Sequence, residues 1–115
     1  AIRITDVYGE DQKVNGPFPV KTQSLDGNFI IVRKSANLGF SRDLQGFHFY
    51  DADICLHAAM MGWNIYVIDF HLHHKGSGDF STFQDNLEAF LKKWNENLKE
   101  KVIQLTTIAF KITGN

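Results

Sequence analysis

Two aspartates and a cluster of histidines hold most of the chemical potential in this 115-residue chain. Asp51 and Asp53 lie in the run from Gly46 to His57, and His71, His73 and His74 lead into Lys75, Gly76, Ser77 and Gly78. Carboxylates at a helix start and imidazoles at a strand end can converge on one divalent cation or one reacting hydroxyl if the intervening segments fold back on each other. The chemistry on offer is proton abstraction by an aspartate and metal ligation by an imidazole.

Each group also has a simpler role. Two residues apart on a helix are about 200° round the axis, so both carboxylates reach one spot only if one of them precedes the first turn. Capping and a favourable interaction with the helix dipole, worth about 1 kcal/mol, account for either aspartate without catalysis. His71 and His73 share one strand face, and the local run offers only Asp69 as a carboxylate to complete a ligand set. Lys75 and the Gly76-Ser77-Gly78 loop could hold phosphate through backbone N–H groups and the ammonium, but the full dinucleotide or Walker spacing is absent. His48 and His57 read as ordinary side chains.

Positioning such groups requires a strand, helix and strand in succession. Asp51 or a near neighbour opens a helix in which Ile54, Cys55, Ala58 and Met61 recur at helical spacing, with Gly62 as its stop. Asn64 to Phe70 returns as a strand. Upstream, Ile2 to Tyr8 alternates weakly and reads as a strand or an extended edge, and Gly9 to Lys21, with Asn15-Gly16, Pro17 and Pro19, reads as a loop. Phe29 to Val32, led in by Asp26-Gly27-Asn28, reads as a strand buried on both faces. Ser35 to Gln45 is a connection. Phe80, Phe83, Leu87, Phe90, Leu91, Trp94 and Leu98 fall three or four apart, the clearest helix in the chain, with Asp79 or Ser81 as its cap and its aromatic stripe as core. Val102 to Phe110 is β-prone. These alternations predict an α/β layer arrangement.

Composition narrows the field. The chain has 43% hydrophobic and 22% charged residues and a net charge of -1, which suits one globular domain or fragment spanning residues 1–115 and disfavours a broad nucleic-acid-binding face. No apolar run approaches the ~20 residues that cross a bilayer. One cysteine, Cys55, rules out an internal disulfide, reads as a small core residue, and fits a reducing, cytoplasmic setting.

The stretches Leu25 to Arg33, Phe47 to Leu56, Val67 to Phe70 with His73 to Gly78, and Phe90 to Trp94 resemble, in this order, the C-terminal, acceptor-side half of a family 2 glycosyltransferase with the GT-A (nucleotide-diphospho-sugar transferase) fold. The resemblance covers roughly residues 20 to 95. It implies a partial GT-A-like α/β sandwich, a mixed sheet with at least two helices, lacking the N-terminal nucleotide-binding half and its metal-binding Asp-x-Asp motif. It implies Asp51 as general base with Asp53 as the alternative, since Tyr50 stands where many relatives carry a glutamate. It also implies Asp26 and Tyr50 on the acceptor side, His74 or His73 on a divalent Mn or Mg ion, and Lys75 near phosphate. The function implied is transfer of a sugar from a nucleoside-diphosphate sugar to an acceptor hydroxyl, with the isolated chain inactive.

Two other classes compete. A carbohydrate- or protein-binding domain derived from the same fold would use Phe47, Phe49, Tyr50 and Trp63 as a stacking surface. A small metal-dependent hydrolase lacks a recognisable ligand set. A half-domain would also expose strand edges and apolar faces, so a homo-oligomer or association with the missing half is expected.

Overall fold

The computed structural model describes residues 2–5, 11–14, 16–73, 79–97, 101–104 and 109–112, with side chains described for 16–72 and 79–96. In chain order the elements are β1 (Ile2–Thr5), β2 (Asp11–Val14), β3 (Val20–Thr22), a 3-10 turn at Lys34–Ala36, α1 (Tyr50–Met60), β4 (Ile65–Val67), β5 (His71–His73), α2 (Phe83–Asn97), β6 (Lys101–Gln104) and β7 (Ala109–Ile112). Among the described residues the architecture is mixed α/β with two α-helices.

Among the described residues the strands form three small sheets rather than one layer. β1 is central in the order β2-β1-β5, antiparallel to β2 and parallel to β5, while β3 pairs antiparallel with β4 and β6 with β7. The loop expected over Gly9 to Lys21 therefore contains β2 and begins β3, and the β-prone tail is a strand pair rather than one strand.

Phe29 to Val32 is not a strand. Among the described residues it pairs with no neighbour, and Ile31 is 68% exposed, so the expected burial on both faces does not occur. A β-branched run favours extended backbone, but only a paired ladder makes it a strand.

α1 sits between two apolar clusters. Leu44, Phe49, Ala52, Leu56, Phe90 and Trp94 form the first, with Phe83, Leu87 and Leu91 of α2 against it. Ile54, Cys55, Ala58 and Ile65 form the second, with Leu25, Ile30 and Leu38. The centre of the aromatic stripe is core, with Phe90 and Trp94 fully buried, but Phe80 precedes the helix and is 55% exposed, and Leu98 lies outside the described residues. Gly62, at φ +83°, ends α1 in the left-handed conformation that a side chain resists. At the other end Phe49 adopts φ +69°, a strained choice for an aromatic residue. It is held there by rings 5.2 Å away on either side, Phe83 and Phe90.

Candidate functional site

The two aspartates of α1 point to different environments. Asp51 faces the loop before the extended segment, where its Oδ2 accepts the Gly27 N–H at 2.9 Å and its Oδ1 the Ala52 N–H at 2.8 Å. Tyr50 stands beside it and donates its hydroxyl to the Gly27 carbonyl at 3.4 Å. The approach is so close that a Cβ on Gly27 would collide with the Tyr50 ring. Burial pushes the Asp51 carboxyl up against the pull of its two N–H partners, and the nearby Asp26 charge adds to the rise. The Tyr50 hydroxyl is likewise raised, first by burial and then by Asp51 and Asp26. Asp26, Tyr50 and Asp51 are thus brought together, and both Asp51 oxygens hold backbone amides.

Asp53 lies in the interior, 1% exposed, at the seam between α1 and α2. Its Oδ1 accepts the Trp94 indole N–H at 3.0 Å and the Lys93 ammonium at 2.8 Å, and its Oδ2 accepts the Ser41 hydroxyl at 2.5 Å. Lys93 also reaches Asp43 at 2.9 Å. Burial works against the Lys93 charge, but hydrogen bonds and charge from Asp53 and Asp43 outweigh it and raise its pKa. Lys93 in turn holds the exposed Asp43 carboxyl below the ordinary value. His57 closes the group, with Nε2 3.1 Å from Ser41 Oγ, 3.3 Å from Lys93 Nζ and 3.7 Å from Asp53 Oδ2.

Serine, histidine and aspartate side by side invite comparison with a nucleophilic triad. A triad needs the imidazole between hydroxyl and carboxylate, one nitrogen on each. Here Ser41 donates directly to Asp53, and the same His57 nitrogen faces both groups. The arrangement ties two helices and a loop together and offers no proton relay. The residues around Asp53 were missed by sequence reasoning. The signal in reach was the i,i+4 spacing of Asp53 and His57, which puts both on one helix face.

The remaining expected positions fall elsewhere. His74 and Lys75 lie outside the described residues, and His73 is placed only as the last residue of β5. Among the described residues no group of three or more histidine, cysteine, aspartate or glutamate side chains is arranged to hold a metal ion. Phe49 of the expected stacking surface is buried in the core. Cys55 is buried too, its thiol pushed up to about 11 by desolvation, which makes it a packing residue.

One concavity was not foreseen. A hollow of about 810 Å³ opens between the β3–β4 pair, the extended segment Phe29 to Arg33 and the second face of α1. Ile54, Cys55, Ala58 and Ile65 form its floor, and Asp26, Lys21 and Arg33 stand among its lining residues. Its volume is in the range of ligand pockets, and its lining is predominantly apolar.

No known family's sequence profile matches the chain. It is similar to a protein of Fuscovulum blasticum named "ATP synthase subunits region ORF 6", with 38% identity over 98 residues, 82% of this chain and 39% of that relative. The chain spans about two-fifths of the length of the curated relative it matches.

This relative overturns the glycosyltransferase resemblance, because its name refers to ATP synthase and not to sugar transfer. The implied transfer from a nucleotide sugar to a hydroxyl acceptor goes with it, as does the base role given to Asp51 or Asp53. The alternative of a carbohydrate- or protein-binding domain derived from that fold finds no support either. The stretches that carried the resemblance have structural occupations: Asp51 holds the Gly27 and Ala52 amides, Asp53 joins the helices, and Phe90 and Trp94 fill the core. Among the described residues no helix is long and apolar enough to cross a membrane.

Proposed function

We propose that the protein has a role connected with ATP synthase. The observation that carries this reading is the 38% identity, across most of the chain, to a protein whose name places it in the region of the ATP synthase subunits. The geometry is compatible with a role outside sugar chemistry, since the chemically capable groups of α1 are engaged in holding the molecule together.

The test is genetic and biochemical. Deleting the gene in its native cell should lower the amount of assembled ATP synthase or its ATP-driven proton pumping, and the tagged protein should copurify with synthase subunits. Unchanged content and pumping, together with no recovered subunit, would remove the proposal.

A further inference from the structure

We propose that the hollow binds a small amphiphile, an alkyl chain with an anionic head, the chain lying along the floor and the head meeting Lys21 and Arg33. This goes beyond the reading above and does not depend on it. Three walls enclose the space: the β3–β4 pair, the extended segment and α1. Its 810 Å³ falls within the ~300–1,000 Å³ of small-molecule pockets. The floor is aliphatic: Ile54, Cys55, Ala58 and Ile65 are buried there, with Leu25, Ile30 and Leu38 packed against them. Two of the rings that reach the hollow, Phe29 and Phe70, already stack on each other at 4.7 Å. Such a surface offers dispersion contact and little hydrogen bonding, which is what an alkyl chain can use.

The charges select the sign of the head. Lys21, on β3, and Arg33, at the end of the extended segment, are exposed lining residues. A long cationic side chain can lay its stem along an apolar wall and keep its charge at the water boundary. Among the described residues neither cation has an ion-pair partner. The acid of the lining, Asp26, is already engaged, since its Oδ1 accepts the Asn28 N–H at 2.9 Å. Two cations without carboxylates beside an aliphatic floor complement an anion on an alkyl chain. A cationic head on the same chain would meet two like charges, so the lining discriminates by repulsion as well as by attraction.

Calorimetric titration of the 115-residue chain with dodecanoate, dodecyl phosphate and dodecyltrimethylammonium, each below its micelle concentration, tests the proposal. At least one anion should bind about tenfold more tightly than the cation, and the tighter of the two tells a fatty-acid carboxylate from a lipid phosphate as the source of the head. From octanoate to dodecanoate each added methylene should tighten binding about fourfold. Lys21→Gln with Arg33→Gln, its folding checked by circular dichroism, should bring anion and cation to within about twofold of each other. Arg42→Gln with Lys92→Gln removes the same charge from exposed positions outside the hollow and should leave the preference intact. Trp63 lines the hollow, so its emission should shift on binding, and Trp63→Phe should abolish the shift while the heat remains. No binding of either anion would overturn the proposal and leave the hollow to a protein segment. Equal affinity for the cation, no dependence on chain length, or a preference that survives the loss of Lys21 and Arg33 would overturn it as well.

Discussion

α1 carries an apolar cluster on each side, and the two sides differ in how completely they are closed. On the α2 side, α1 presents Ala52, Asp53 and Leu56 to Phe90, Lys93 and Trp94, and every polar atom buried there has a partner. On the β4 side it presents Ile54, Cys55 and Ala58 to a hollow lined by side chains that remain partly in water. The first side buries large rings and repays the cost of an internal carboxylate with three donors. The second leaves much of its apolar surface without a neighbour among the described residues. The closed side carries most of the buried rings, and the open side keeps apolar surface in water.

Substitutions can break or sharpen that contrast. Trp94→Ala should have the largest effect, a loss of about 3–5 kcal/mol in urea unfolding, because it opens a cavity and removes one of the donors to Asp53. Asp53→Ala should follow at roughly 3 kcal/mol, since it strands the Trp94 N–H and the inner contact of Lys93. Gly27→Ala and Gly46→Ala should each cost on the order of 1–3 kcal/mol. The new methyl meets Tyr50 in one case and Asn86 in the other, where φ is also +125°. By contrast, Ile31→Ser on the open side should change stability by no more than ~0.5 kcal/mol. A large loss there would mean that the hollow is as closed as the α2 side.

pH separates the two aspartate environments, with opposite signs. Lys93 is raised above its ordinary value, so its contribution is present in full below about pH 10.4 and is lost as pH climbs through the folded-state pKa. Unfolding from pH 8 to 11 should show this loss, and Lys93→Met should remove it. Asp51 is also raised, and for a carboxyl this means that the folded state binds the proton more tightly than the unfolded one. Its charge therefore costs stability once pH rises through the interval above the unfolded carboxyl value. The advantage of the parent chain over Asp51→Asn should shrink from pH 3 to pH 7. An advantage that grows instead would show that the Gly27 and Ala52 amides outweigh burial.

Parts of this organisation were legible in the chain. The span of α1, its glycine stop and the core stripe of α2 follow from spacing and terminal residues alone. That Asp51 and Asp53 reach one spot only if one of them precedes the first turn also follows, because the angular step of a helix is fixed, and both lie within α1. Phe29 to Val32 misled for the opposite reason: its composition favours extension, while strandedness depends on a partner. The Asp53 cluster escaped notice because no local pattern ties Ser41, Asp43, Lys93 and Trp94 to Asp53, and the i,i+4 spacing reaches only His57. The resemblance to a transferase rested on short pieces in order, and residues that satisfy such a pattern can equally cap, pack or bridge.

What the sequence determined by itself was local: helical periodicity, the positive-φ stop at Gly62, and the opposed directions of the two aspartates. These are set by backbone geometry over a few residues, wherever the segment sits. The tertiary structure alone decided which aspartate would be interior and which face of α1 would stay open. Those outcomes depend on contacts across long separations, 41 residues for Asp53 with Trp94 and 24 for Asp51 with Gly27. Burial, and with it the chemical character of a carboxylate, is a property of what surrounds a residue in space.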